Sequence, residues 1–564
     1  MVQELIPSRG FQSSMDYVMT LGLGNAKLLD SLRVIWPDDA TQKLSNVEVN
    51  QFLTLKRSDA DSIYRPIKEP IKKTLLTELS NERMNSHKEN NHIDFDYEGL
   101  ISKMLSQEGP ALAIGDINGD GNEDIYIGGA KGQSGILYLH KGGGIMKPFS
   151  QLIFEVDRRF EDTTAAFLDV DGDGDQDLMV GSGGNEVEEA NSYRPRLYLN
   201  DGKGVFKKAK KDLPPANVNS SVISPFDFDD DGDMDVFIGA RSIVATYGLN
   251  PGHLFLENIG DGTFRDASER LAYDLKDAGM VTDAIWTDVD GDGRKDLVTV
   301  SEWDVPKVYK NSGRRLSKTP TSLDSLHGWW NAVEVADLDL DGDNDLILGN
   351  QGNNLHYRPS PDNPMKLWIN DFDENGTIEQ IMTLNKEGKS YPLHQKRELT
   401  NQMVALKKQN LKASDYATRN IQELFSKEVV DNSIVKTATV SESMIAVNEG
   451  DGKFSIKKLP YRVQLSSVCG ITCVDINNDG YLDLVMGGND FEFKPQYSRL
   501  DASFGNVLLG DGKLGFKWQD YNKSGFSIRN EIEHLKTFKD KNGNQFIIAA
   551  INDAKPRIFQ VDEE

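Results

Sequence analysis

From about residue 110 onward, short apolar runs alternate with acidic, glycine-containing turns, and helical spacing appears only at 391–430. The runs ALAIG, AAFL, VISPF, AIWT and VEVA precede the turns; IYIGGA, LMVGSG, VFIGA, LVTVSE, LILGN and LVMGGN follow them. Such short apolar runs, bounded by glycine, predict strands buried on both faces. A second signal recurs further along most units, in LYLNDGKGVF (197–206), LFLENIGDGTF (254–264), MIAVNEGDGKF (444–454) and VLLGDGKLGF (507–516). Asn/Asp-Gly turns between apolar runs predict the outer hairpin of a four-stranded sheet.

The acidic turns repeat a nine-residue pattern, Asp-x-[Asp/Asn]-x-[Asp/Asn]-Gly-x-x-[Asp/Glu], starting at Asp116, Asp169, Asp227, Asp288, Asp337, Asp371 and Asp475. Setting aside the helical stretch in the last interval leaves a period near 50 to 60 residues over most of the chain, the size of a β-propeller blade.

The spacing has a coordination meaning. The third position holds Asn118, Asp171, Asp229, Asp290, Asp339, Asp373 and Asn477; the fifth holds Asp120, Asp173, Asp231, Asp292, Asp341, Asn375 and Asp479. The ninth holds Asp124, Asp177, Asp235, Asp296, Asp345, Glu379 and Asp483. Together with the first aspartate these are hard oxygen donors, suited to Ca²⁺ rather than to zinc or copper, with glycine at the sixth place for a sharp reversal. The seventh position would offer only its backbone carbonyl, and its side chains are accordingly unconstrained: Asn122, Asp175, Asp233, Arg294, Asp343, Thr377 and Tyr481. The second is always apolar (Ile117, Val170, Phe228, Val289, Leu338, Phe372, Ile476), predicting an anchor in the core. The sixth copy departs most from the pattern. An EF-hand would place its last acid at position 12 between helices, so the acid at nine argues for a different cage.

Charge supports occupancy. The 564 residues include 63 Lys+Arg and 89 Asp+Glu, a net −26. Seven calcium ions would bring that to −12; without them three or four carboxylates per loop repel one another. At extracellular-type affinities, millimolar calcium would contribute about 0.4 to 1.4 kcal/mol per site, so the metal is expected to be structural. The acidic balance argues against nucleic acid as a partner. No run is long enough to span a bilayer, and the start, MVQELIPSRGF, lacks the layout of a secretory signal. Cys469 and Cys473, if in one strand, stand roughly 13 Å apart, too far for a disulfide.

ALAIGDINGDGNEDIYIGGA, AAFLDVDGDGDQDLMVGSGG and VEVADLDLDGDNDLILGNQG resemble FG-GAP repeats, also called VCBS-type repeats, which are similar to the calcium loops of integrin α-subunits. Over 95–564 this resemblance implies an all-β fold, a β-propeller of about seven four-stranded blades, with a helical insertion at about 391–430. Residues 1–57, including GFQSSMDYVMTLGLGNAKLLDSLRVIWPDDATQKLSNVEVNQFLTLK, resemble the end of an ASPIC/UnbV module. There Leu32, Val34 and Trp36 alternate in one strand, a Pro-Asp-Asp turn follows, and residues 52–55 form another strand. Beginning in mid-module implies the C-terminal part of a longer polypeptide. Residues 58–94 read as a linker, with PIKEPIKKTLLTEL a short helix.

Residues 391–430 carry Leu399, Met403, Leu406, Ile421, Leu424 and Phe425 at helical spacing, for packing on the rim or for a partner. Trp286, Trp303, Trp329, Trp330 and Trp368, with His327 and His356, cluster in 83 residues, as inter-blade core or as a sugar-stacking surface. No nucleophile elbow, HExxH, P-loop or dinucleotide fingerprint is present. The expected function is a non-enzymatic, calcium-binding module for adhesion or interaction, exported to the cell surface, periplasm or exterior, with a protein or glycan ligand. The alternatives are a glycan-binding propeller and a calcium-dependent polysaccharide lyase or hydrolase, the last by fold analogy alone.

Overall fold

The computed structural model describes residues 2–8, 10–65, 73–187, 192–211, 213–450 and 452–561, in two compact units, Met1–Lys72 and Lys73–Glu564. The first unit holds a three-stranded antiparallel sheet of Leu28–Ile35, Ala40–Glu48 and Ser62–Ile63. The Pro37-Asp38-Asp39 turn joins the first two: the Trp36 N–H donates to the Ala40 carbonyl at 2.8 Å, and Asp39 takes a left-handed φ of 63°. Residues 52–55 form no strand. Phe52 is exposed, and the third place belongs to Ser62–Ile63, opposite Ala40 and Thr41, so the module runs past residue 57.

The second unit is built of antiparallel sheets, seven of which share one plan. Sheet A is Leu112–Gly115, Asp124–Ile127, Ile136–His140 and Met146–Phe149. Sheet B is Asp162–Leu168, Asp177–Ser182, Arg196–Leu199 and Lys207–Lys208; sheet C is Ser220–Phe226, Asp235–Ala240, Leu254–Asn258 and Phe264–Asp266. Sheet D is Met280–Thr287, Asp296–Asp304, Lys307–Asn311 and Leu316–Thr319, with Gly328–Trp329 added on its second strand. Sheet E is Ala332–Ala336, Asp345–Gly349, Met444–Asn448 and Phe454–Lys458; sheet F is Gly470–Val474, Asp483–Gly487, Asn506–Gly510 and Phe516–Gln519. Sheet G is Ile532–Lys539, Gln545–Ile551 and Arg557–Val561, completed by Leu76–Glu78.

First strands of successive sheets touch in the order A to G, and G returns to A, which makes the unit a β-propeller. They surround a central cavity of about 360 Å³. Between sheets lie apolar clusters: Leu168, Met179 and Leu197 of B meet Ile223, Val236 and Leu254 of C.

Three expectations are corrected. Leu76–Glu78, inside the supposed linker, pairs Leu76 with Val561 and Glu78 with Phe559. Leu76 is fully buried, and Met84, His87 and Asp94 are buried too, so the polar composition of 58–94 concealed a stretch that packs on the ring. Within TLLTEL, Leu76–Glu78 is thus strand rather than helix, and residues 66–72 of the expected helix lie outside the described residues. Further, the insertion in sheet E begins well before 391: 350–443 carries a separate four-stranded sheet (Met365–Asn370, Glu379–Lys386, Lys389–Pro392, Ile434–Ala438) with helices Lys396–Gln402, Leu406–Gln409, Ala413–Ala417, Ile421–Leu424 and Lys427–Asp431. Leu399, Met403, Leu406, Ile421 and Leu424 pack on Trp368 and Ile381 of that sheet and on Phe372 of the turn between them.

Candidate metal centres

Each acidic turn joins a first strand to a second. Six belong to sheets A to F; the turn at 371–379 belongs to the inserted sheet, which accounts for its odd spacing and sequence. Sheet G has a shorter turn between Lys539 and Gln545 in that place.

One hydrogen-bond scheme shapes all seven. The sixth-position glycine N–H donates to the first aspartate at 2.8 to 3.1 Å, from Gly121 to Asp116 through Gly480 to Asp475. These glycines have φ between 83° and 100°, which a side chain at that position would resist. The seventh-position N–H donates to the fifth-position oxygen, 2.8 to 3.0 Å, in every copy. Position two is buried throughout, as its apolar character predicts.

The ninth-position acid is buried at the foot of the cage. Except in the first copy, it accepts the N–H of position two at 2.9 to 3.3 Å. In sheets A to F its other oxygen accepts an N–H from the third strand, as Asp235 does from Asn258 at 2.8 Å. Burial, against these hydrogen bonds and with neighbouring loop aspartates adding to it, pushes Asp124, Asp177 and Asp235 up to about 7, and Asp296, Asp345 and Asp483 up to about 6.

Five turns bring three carboxylates within 4.8 Å of one another: Asp169, Asp171 and Asp177; Asp227, Asp229 and Asp235; Asp288, Asp290 and Asp296; Asp337, Asp339 and Asp341; Asp371, Asp373 and Glu379. In four of them the third-position Oδ1 (Asp171, Asp290, Asp339, Asp373) is buried without a hydrogen-bond partner. Oxygen donors held together around an unsatisfied inward atom fit a cation. The first and seventh turns are arranged otherwise. The Asn118 amide donates to Asp124 at 2.8 Å and the Asn477 amide to Asp479 at 2.9 Å, so asparagine N–H groups satisfy carboxylates there. In the fourth turn the Lys310 ammonium lies on Asp290, and 3.0 Å from Asp292. The seventh-position side chains differ in what they do: Arg294 pairs with Asp230 of the neighbouring turn at 2.7 Å, whereas Asn122 donates to Asp120 at 2.7 Å and Thr377 to Glu379 at 3.0 Å within their own turns.

The pattern reading missed Asn200, Asn258, Asn311 and Asn448, at the ends of third strands. Their amides donate to the position-two carbonyls of the preceding sheet's turn, Ile117, Val170, Phe228 and Val289, at 2.8 to 3.1 Å. The signal was present as a recurring Asn closing LYLN, LFLEN, VYKN and IAVN. The tryptophans prove to be core: all five are buried, and the indole N–H groups of Trp286, Trp303, Trp330 and Trp368 donate inside the protein, Trp303 to Tyr247 and Trp368 to Thr383 among them. They offer no flat face to a sugar. Cys469 and Cys473 are free thiols.

A ring of four-stranded sheets whose first turns gather carboxylates defines a propeller with loops that can hold metal. The family model of the FG-GAP-like repeat matches residues 116–180, 169–238 and 288–348, and that of ASPIC and UnbV matches residues 1–62. The chain carries FG-GAP-like repeats and an ASPIC/UnbV domain. Among curated proteins no relative matches. Similar solved structures include YCF48 bound to D1 peptide (9% identity, 85% of this chain and 98% of that one, TM-score 0.37). The computationally designed Ika8 protein is similar too (11% identity, 82% and 100%, TM-score 0.34). So is a chain of the Mitotic Checkpoint Complex (9% identity, 91% and 100%, TM-score 0.37). No helix among the described residues is long and apolar enough to cross a membrane.

Proposed function

We propose that this chain is a calcium-stabilised, seven-bladed propeller acting as a non-enzymatic interaction module for a protein partner, outside the cytoplasm. The observation that carries the reading is the set of buried, unpartnered Oδ1 atoms of Asp171, Asp290, Asp339 and Asp373, each within a three-carboxylate group. All donors are oxygen, which suits calcium; magnesium demands a stricter octahedron and keeps its water. Loops of this kind load at the millimolar calcium found outside cells, which supports export. The FG-GAP-like repeats support an interaction role. The test is metal content of the purified protein together with melting in calcium and in chelator. Stoichiometric calcium whose removal lowers the melting temperature upholds the reading; a metal-free protein with an unchanged melt would falsify it.

A further inference from the structure

The central cavity lies toward the end of the ring away from the Asp turns. Asn331, Cys469 and Glu531, which directly precede the first strands of sheets E, F and G, line it, and so do Glu334 and Lys536 midway along theirs. Residues 102–104 run beside 492–494 and carry Lys103 and Glu492 into the wall: the Met104 N–H donates to the Glu492 carbonyl at 3.1 Å and the Lys494 N–H to the Ser102 carbonyl at 2.9 Å. The volume, about 360 Å³, falls within the roughly 300 to 1,000 Å³ of small-molecule pockets.

Seven carboxylates and three cations line this space. All three cations are engaged. Lys103 Nζ lies 3.1 Å from Asp490 and 3.8 Å from Glu108, and Arg241 is held by Glu108 at 2.9 Å and by Glu302 at 2.6 Å. Lys536 donates to the Leu112 carbonyl at 3.2 Å and faces Asp283 and Glu334. Burial holds His534 down to about 4, so its ring adds no charge at pH 7. Among the described residues, Glu492, Glu531 and Glu533 are left without an ion pair. Glu531 accepts the Phe491 N–H and the Asn552 amide, whereas the carboxylates of Glu492 and Glu533 accept no hydrogen bond. Arg241, 4% exposed, keeps its Nη1 without a partner in the same wall. Burial, and then neighbouring carboxylates, raise Glu531 to about 8 and Glu492 to about 7. Acids stranded in this way cost free energy until a proton or a cationic ligand joins them.

We propose that the central cavity binds a basic amino acid, its two cationic groups on Glu492 and Glu533 and its carboxylate on Arg241 Nη1. The match is one of sign and number: two acceptor groups and one donor are left over in the wall, and lysine or arginine brings two cations and one anion. A bare metal ion is a poorer occupant, because these glutamates are not among the carboxylates whose oxygens lie within 4.8 Å of one another. A ligand that carries its charges on a carbon chain reaches acceptors that stand apart.

The test is calorimetric titration with lysine, in calcium and at physiological salt, which screens the acidic surface. Wild type should bind one lysine per chain. Putrescine, which has two ammonium groups and no carboxylate, should bind several-fold more weakly, and glutamate should not bind. Glu533→Gln should weaken lysine binding by about tenfold or more, the loss of one charge-assisted hydrogen bond. Glu155→Gln, at an exposed acid paired with Arg158, should bind lysine as wild type does. Absence of lysine binding in the wild type, or equal weakening by the two substitutions, overturns the proposal; putrescine binding as tightly as lysine overturns it too, since Arg241 would then have no role. The readout is lysine rather than metal, so failure here leaves the calcium reading standing. Should Glu533→Gln fail to fold, crystals of the wild-type chain grown with lysine decide the matter, and water alone in the cavity overturns the proposal equally.

Discussion

The side-chain amide of Asn258, closing the third strand of sheet C, donates at 2.9 Å to the carbonyl of Val170, inside the Asp turn of sheet B. Asn258 also gives its backbone N–H to Asp235, so one residue fastens its own turn and its neighbour's. Asn258→Ala removes a buried donor, leaving the Val170 carbonyl to the Gly262 N–H at 2.9 Å alone, at a cost of about 1 kcal/mol. Calorimetry should show the loss equally with calcium and with chelator. A loss confined to the calcium-loaded form would assign the residue to metal binding.

Calcium removal should lower the melting temperature by several degrees. Of the five grouped turns, the four without a lysine on their carboxylates, at about 0.4 to 1.4 kcal/mol each, give roughly 2 to 6 kcal/mol in millimolar calcium. Restored calcium should recover the transition, and equal magnesium should recover little of it.

Asp171→Asn and Asp339→Asn each replace an inward carboxylate by a neutral amide. Each should reduce bound calcium by one ion per chain, measured by mass spectrometry of the metal. Melting in chelator should stay the same or rise slightly, because a repelling charge has gone.

Lys310 occupies the place a cation would take beside Asp290 and Asp292. The fourth turn should therefore bind calcium weakly in the wild type. Lys310→Ala should tighten that site several-fold in calorimetric titration, and an unchanged isotherm would show that the ammonium swings aside without cost.

Glu334, on the wall of the central cavity, has its pKa pushed up to about 7 by burial, with Asp283 adding to the rise and Lys536 opposing it. A raised carboxyl binds a proton in the folded state that the unfolded chain has released, so its contribution falls as pH climbs from about 4.5 to 7. Glu334→Gln should stabilise the protein by roughly 1–3 kcal/mol at pH 8 and change little at pH 4. Paired melts at the two pH values decide it.

The strands and turns of sheets A to F were legible because each couples apolar runs to an invariant glycine turn, two signals that agree. Sheet G was harder to read. Its first turn lacks the nine-residue pattern, and its fourth strand lies some 480 residues away, in three residues of mixed polarity. Residues 52–55 show the converse: an apolar tetrad reads as strand, yet only pairing makes a strand, and Ser62–Ile63 holds the place. In the turns, spacing identified the donors but could not show which converge. Asn118 and Asn477 look equivalent to aspartate as ligands, but an amide also donates, and in both turns it does.

Because Leu76–Glu78 lies beside Arg557–Val561, the circle has its clasp where the earliest-made part of the propeller meets the latest. A nascent chain can assemble sheets A to F in order as they leave the ribosome, while that opening strand waits without a neighbour. Arg557–Val561 decides whether the assembly shuts, so cutting the chain ahead of that strand in the cell would leave an open arc with Leu76 and its surroundings bare to proteases and chaperones.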